Sequence, residues 1–151
     1  MSLRVYTARL GAVQDPSCLN SCLNITRKSG EGDGLLFAPS WSILNPAREG
    51  LRNADEMHKF ASSGLDEWNA EWTFRRVWWG YVAAYTHEMR ESYRAHRDAW
   101  ERLLAREQVT LTCYCTNANL CHRTLLAALI LPTLGATYEG ERPMPGEGAP
   151  P

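Results

Sequence analysis

The chain lacks most of the features that assign a protein to a class at first reading. No apolar run approaches the roughly 20 residues needed to cross a bilayer. The opening Met1-Ser2-Leu3-Arg4 has no apolar stretch of the kind a secretory leader carries. A cytoplasmic protein with no membrane partner is therefore expected. Charge of one sign is also missing, because 16 basic and 17 acidic side chains cancel to a formal −1. No global field draws such a chain to nucleic acid or to an anionic surface, and any anion must be met at a local site. There is no internal repeat. The five cysteines are an odd number, in a chain of 151 residues that is long enough to bury a core without staples. Reduced thiols are expected rather than a disulfide framework.

What is present has the order of an α/β domain. Leu3 to Ala8 alternates and carries β-branched and aromatic residues, which predicts a strand. Asp15-Pro16 starts a turn or short helix, and Leu23 to Thr26 reads as a second short strand. Residues 28–34, with Lys28-Ser29-Gly30 and Glu31-Gly32-Asp33-Gly34, have the chemistry of an exposed loop. A short helix is expected around Asn53 to Ser62. From Glu67 to about Arg106 there is no proline and a single glycine, and two helices breaking near Ser92 are expected. Their aromatics, among them Trp68, Trp72, Trp78 and Tyr85, recur at helical spacing. That pattern predicts core packing, with a base-stacking cleft as the alternative. Val109 to Cys113 is the clearest strand. Thr124 to Leu134 is apolar almost all round, which predicts a helix covered on both sides. Ala136 to Tyr138 adds a last strand. The expected architecture is a single α/β domain over residues 1–141, with a small, mainly parallel sheet flanked by helices. Residues 142–151 are expected to form a Pro- and Gly-rich flexible tail.

The chemistry concentrates in one segment. Cys113, Cys115, Cys121, His122 and Arg123 fall within eleven positions, on a loop that leaves a strand and enters a helix. Ligands of open α/β sheets bind at such strand ends, and a helix N-terminus there favours an anion. Asn119 is a candidate N-cap. Four readings stand side by side. Cys113, Cys115, Cys121 and His122 are donors suited to zinc or iron. An extended chain, however, holds Cys113 and Cys115 roughly 6.6 Å apart, which opposes both one shared metal and a disulfide. A second reading makes Cys115 or Cys121 a low-pKa nucleophile with His122 as acid/base partner. A third has Arg123 and backbone amides cradle an anion. In the fourth the cysteines are small buried hydrophobes. The Cys-x₅-Arg loop of a phosphatase is excluded, because the residue six before Arg123 is Asn117. Cys18 and Cys22 read as structural. Glu139 and Glu141 are candidates for a general base or a metal carboxylate.

Taken in order, several blocks resemble the family catalogued as domain of unknown function 488, in its shorter bacterial and phage-type branch. They are Leu23 to Gly30, Phe37 to Trp41, Tyr81 to Ser92, Val109 to Cys115, Cys121-His122-Arg123 and Gly135 to Glu141. Asn24 stands where the family pattern often has Asp before the Ile-Thr pair. The resemblance implies an α/β fold and one site shared by the Lys28, Trp41, Cys-His-Arg and Glu141 segments. It implies no particular reaction. The expected partner is a small anionic or nucleotide-like ligand. Arg123, Lys28 and Ser29 would bind its charge, Trp41 or Tyr81 would stack it, and Cys115, Cys121, His122 and Glu141 would act on it.

Overall fold

The computed structural model describes residues 2–11, 21–115 and 117–143. The expected turn at Asp15-Pro16, Cys18, and residues 144–151 lie outside the described residues. Four strands form one all-parallel sheet in the order β2-β3-β1-β4: β1 Arg4–Arg9, β2 Cys22–Asn24, β3 Gln108–Cys113 and β4 Thr137–Glu141. The fold is α/β, as the element order implies. Val5, Val109 and Leu111 in the central strands have no exposed surface, as befits strands covered on both faces. Arg142, the first residue of the expected tail, donates its backbone N–H to Thr7 O at 2.7 Å and its Nε to Thr110 Oγ1 at 3.1 Å.

The chain forms two compact units, one of Met1–Ala38 with Met89–Pro151 and one of Pro39–Glu88. The first holds the sheet. It also holds α3, Arg97–Leu104, and a continuous helical run over 122–134, here α4. Trp100 of α3 anchors its core, with Phe37 at 4.8 Å and Tyr93 at 5.6 Å between ring centroids. The indole N–H reaches Ser92 Oγ at 3.0 Å, and that hydroxyl donates to Leu36 O at 2.7 Å, so no buried polar atom of the tryptophan is left unpaired. α4 starts as α-helix, widens to π over Leu125–Ile130, and tightens to 3₁₀ over Leu131–Leu134. It ends at Gly135 with φ +96°, a left-handed cap that glycine adopts without strain. Leu125, Leu126, Ala127 and Leu131 are buried while Ala128 and Leu129 are exposed, so α4 is covered on one side rather than two.

The loop after β2 departs from its sequence reading. Gly32–Phe37 is a 3₁₀ helix, and Gly34 within it is buried. A Cβ on Gly34 would collide with the carbonyl oxygen of Asn24, so this glycine permits a close backbone approach rather than a mobile turn. Gly34→Ala is therefore expected to cost about 2–3 kcal/mol, because a backbone atom cannot yield as a side chain does. Urea denaturation at constant m-value measures it, and a change below about 0.5 kcal/mol would contradict the close approach.

The second unit pairs α1, Trp41–Lys59, with most of α2, Gly64–Ala95. α1 is far longer than the short helix expected near Asn53, and it tolerates Pro46 in its interior. Its buried positions are small, Ala47 and Ala54, and a Cβ on Gly50 would come within 2.8 Å of Val77 Cγ2. Close helix contact through small residues leaves little of the large-apolar periodicity that a sequence reading seeks. The helical stretch breaks at His96, four residues beyond Ser92, as α3 begins at Arg97. Tyr81, Tyr85 and Met89 are buried as the core reading expects, whereas Trp68, Trp72 and Trp79 are exposed.

Candidate functional site

The carboxyl-terminal edge of the parallel sheet carries the chemistry. Cys113 is the last residue of β3, and the chain bends at the exposed Tyr114. The bend returns Cys115 Sγ to 3.8 Å from Cys113 Sγ, both as free thiols. The separation expected of an extended chain does not apply, because the strand has already ended. A 3₁₀ turn, Ala118–Leu120, follows, with Asn117 rather than Asn119 capping it: the Asn117 side chain accepts from Asn119 N at 3.0 Å. Helix α4 therefore begins at His122, with Cys121 in the N-cap position. This places Cys121 and His122 back against the end of β3.

His122 is buried, and its Nε2 lies 2.7 Å from the carbonyl oxygen of Ile25. A carbonyl only accepts, so Nε2 carries the proton and Nδ1 presents a lone pair. That lone pair faces sulfur, with Cys113 Sγ at 3.9 Å and Cys121 Sγ at 3.8 Å. The donor atoms of Cys113, Cys121 and His122 all lie within 4.8 Å of one another, and all three residues are buried. A tetrahedral ion bound at ordinary zinc distances would hold sulfur donors about 3.8 Å apart and sulfur and nitrogen about 3.5 Å apart. The cluster fits that shell with small adjustments.

Arg123 is as buried as the core leucines, at 1% exposed. Its Nε donates to Glu141 Oε1 at 3.1 Å, and its Nη1 donates to Cys115 O at 2.9 Å. The guanidinium thus pins the Cys115 backbone and is largely neutralised by Glu141. The second Glu141 oxygen accepts from Thr7 Oγ1 at 3.0 Å, and Tyr138 Oη lies 2.8 Å from the same hydroxyl. Strand alternation alone would place Tyr138 and Glu141 on opposite faces. The β1–β4 register shifts between Val5 and Tyr6, pairing Val5 with Tyr138 but Thr7 with Glu141. Gly140, at φ +117°, supplies the irregular backbone. The bulge turns both side chains toward Thr7. Glu139 stays exposed.

The electrostatics divide the thiols. Hydrogen bonds from Cys113 and then Cys121, with His122 and Arg123 nearby, lower the Cys115 pKa to about 2. Cys113 is pushed up, chiefly by its hydrogen bond to Cys115. Cys121 is pushed well up, first by burial and then by its sulfur neighbours. Without a metal, the cluster carries one negative charge, on Cys115, with the other two thiols as donors. Burial pulls the Arg123 pKa down, but Cys121 and Glu141 outweigh it and the net shift is upward. The arginine stays charged.

Cys113, Cys115, Cys121, His122, Arg123 and Glu141 therefore stand together. Ser29 belongs to the adjoining β2 loop. The Asn24 amide donates to Ser29 O at 3.1 Å and Ser29 Oγ at 3.0 Å, while its oxygen accepts from Thr26 N at 3.0 Å and Thr26 Oγ1 at 2.7 Å. An Asp in place of Asn24 could not make the two donations, so Asn24 organises the loop. Lys28 is exposed on it. Trp41 and Tyr81 belong to the other compact unit. Tyr81 stacks on Tyr85 at 6.2 Å between centroids. Sequence reasoning missed Thr7, Tyr138 and the Ile25 carbonyl. The first two depend on the β4 bulge, and a backbone carbonyl leaves no mark in residue types.

These features define a parallel α/β protein with a buried Cys/His cluster, and an adjoining Arg–Glu pair, at its strand ends. A family model described as DUF488-N3a, Active DUF488-N3 subclade, matches residues 36–133, and the chain belongs to this family. The match takes in the whole Cys-His-Arg segment but neither the Asn24 loop nor Glu141. No curated protein and no solved structure matches the chain.

Proposed function

We propose that the protein is a metal-binding α/β protein, with Cys113, Cys121 and His122 holding a zinc-class ion and Cys115 supplying the fourth donor. The observation that carries this reading is the packing of three buried donor atoms within 4.8 Å of one another. The Ile25 carbonyl supports it by fixing the His122 tautomer, the outer-shell arrangement common around ligating histidines. Three sulfurs and one imidazole are soft donors that favour zinc, or iron in a sulfur-rich site, over magnesium or calcium. Elemental analysis of protein purified without chelators should find about one zinc or iron per chain. Cys121→Ser and His122→Ala should each bring it well below that. Protein free of both metals, and unable to take up zinc on titration, would reject the reading.

A specific observation favours a second reading, in which the same cluster works without metal on a small anionic or nucleotide-like ligand. Cys115 is the least buried of the three clustered thiols and the one held as thiolate, which makes it the nucleophile. Lys28 and Ser29 would meet the anion from the β2 loop. Arg123 is engaged with Glu141 and the Cys115 carbonyl, so in this reading it positions the loop and Glu141 holds it, rather than serving as a general base. Metal-free protein whose Cys115 is alkylated at the same rate at pH 5 and pH 8 would favour this second reading over the first. An ordinary thiol slows by roughly a thousandfold over that range.

A further inference from the structure

Residues two apart on an extended chain hold their sulfurs too far apart to bond, and the structure removes that obstacle by ending β3 at Cys113. The Sγ atoms of Cys113 and Cys115 stand 3.8 Å apart, so a bond of about 2.05 Å needs roughly 1.8 Å of further approach. The carbonyls on either side of the bend are both held. Leu10 N–H donates to Cys113 O at 2.8 Å, and Arg123 Nη1 donates to Cys115 O at 2.9 Å. Tyr114 between them is 54% exposed, so the linkage that must adjust lies on the surface. Solvent reaches the pair from one end. Cys113 and Cys121 are buried, whereas Cys115 is half-buried. Cys22 pairs with Thr110 in the β2–β3 register, which puts it on the other face of the sheet from Cys113.

We infer that Cys113 and Cys115 are a reversible dithiol–disulfide couple, closed by a peroxide-class oxidant, and that closing it switches the site off. Cys115, the sulfur that solvent reaches, attacks one peroxide oxygen. An S–O bond forms, the O–O bond breaks and hydroxide leaves, which gives a sulfenic acid at Cys115. Cys113 then attacks that sulfur. The S–S bond forms, the S–O bond breaks and a second hydroxide leaves. Two thiolates and one peroxide thus become one disulfide and two hydroxide ions, with two electrons passing from sulfur to oxygen. A dithiol reductant reverses the change through a mixed disulfide and is itself oxidised to a disulfide. The bond to Cys113 strains only the exposed bend, whereas one to Cys121 would draw on the N-cap of α4. Disulfide sulfur no longer ligates, because the thiolate is the metal ligand. Cys121 and His122 are then the donors left, fewer than the three or four protein ligands of a zinc site, and the ion leaves. That last step rests on the metal reading above, and the couple itself does not. In the metal-free reading the same bond consumes the nucleophile.

For the test, the full chain is loaded with zinc, treated with hydrogen peroxide in modest excess, alkylated under denaturing conditions and digested with trypsin. Cleavage after Arg106 and Arg123 leaves Cys113, Cys115 and Cys121 on one peptide, residues 107–123. The oxidised pair should make that peptide lighter by about 2 Da, and fragmentation should find the alkyl group on Cys121 alone. Dithiothreitol should restore all three alkylatable thiols. A chromogenic chelator in the same sample should register about one zinc released per chain as the bond forms. Cys113→Ser should form no such bond and should leave Cys115 as a sulfenic acid that dimedone labels. Zinc-loaded protein that keeps all three thiols, bonds Cys115 to Cys121 instead, or ends as a sulfinic acid at Cys115 would overturn the inference and leave the metal reading standing. A Cys113–Cys115 bond that forms while the zinc stays would overturn the switch. Protein that takes up no zinc yet closes the pair reversibly would reject the metal reading and support the couple.

Discussion

If the Cys/His cluster holds the proposed ion, a strong chelator is expected to lower the midpoint of thermal unfolding by roughly 8–16 °C, on the linkage arithmetic that follows. A site loaded at a thousand times its dissociation constant stabilises the native state by about 4 kcal/mol. In a domain of this size each kcal/mol moves the midpoint by roughly 2–4 °C. The effect depends on pH in a direction that the thiol electrostatics fix. Cys115 is already a thiolate at neutral pH, and His122 presents an unprotonated Nδ1. Cys113 and Cys121, both pushed upward, must each lose a proton to ligate. Metal uptake therefore releases two protons, and affinity falls by about a hundredfold for each pH unit below their pKa values, or about 2.7 kcal/mol. Chelation should consequently shift the midpoint more at pH 8 than at pH 6. Differential scanning calorimetry of loaded and stripped protein measures the shift. A midpoint that does not move at either pH would contradict a metal built into the native state.

Glu141→Leu is expected to destabilise the fold by about 3 kcal/mol, the low end of the cost of breaking a buried pair. It strands the Arg123 charge, whose side chain is 2% exposed against 30% for Glu141. Solvent reaches the carboxylate but not the guanidinium. Removing the arginine instead should cost less, so Arg123→Met is expected at about half the penalty, since methionine keeps much of the volume. The asymmetry separates this pair from a surface ion pair, whose two halves would each cost well under 1 kcal/mol. Glu141→Leu also frees the Cys115 loop, because Arg123 holds the Cys115 carbonyl at 2.9 Å. Zinc affinity should fall by roughly 10–100-fold in the same variant, the usual effect of losing an outer-shell partner. Urea denaturation of both variants, paired with zinc titration, tests the argument. Equal small penalties with unchanged zinc affinity would sink it.

The strands were legible because their signals are local. Val109 to Cys113 alternates and is bounded by polar residues, and the structure pairs Gln108–Cys113 in the middle of the sheet. The break between α2 and α3 was legible to within a few residues. α1 was not, because its contacts use Ala47, Gly50 and Ala54, and a small-residue interface has no large-apolar period. The exposed tryptophans Trp68 and Trp72 misled in the other direction, since spacing shows that residues share a face but not which face is covered. At the site, residue types pointed to Cys113, Cys115, Cys121, His122 and Arg123 together, and the structure gathers them. The bend at Tyr114 that brings the sulfurs to 3.8 Å could not be read from a spacing that assumed extended chain. The register shift that turns Glu141 toward Thr7 and Arg123 is likewise a property of strand pairing, not of the Tyr-Glu-Gly-Glu string.

X-ray absorption at the metal K-edge, on protein purified without chelators, tests the central claim most directly. The expected spectrum is that of a four-coordinate zinc or iron with three sulfurs at about 2.3 Å and one nitrogen at about 2.0 Å, losing a sulfur in Cys121→Ser. A first coordination shell of oxygen alone, or a metal whose shell is unchanged by that substitution, would contradict it.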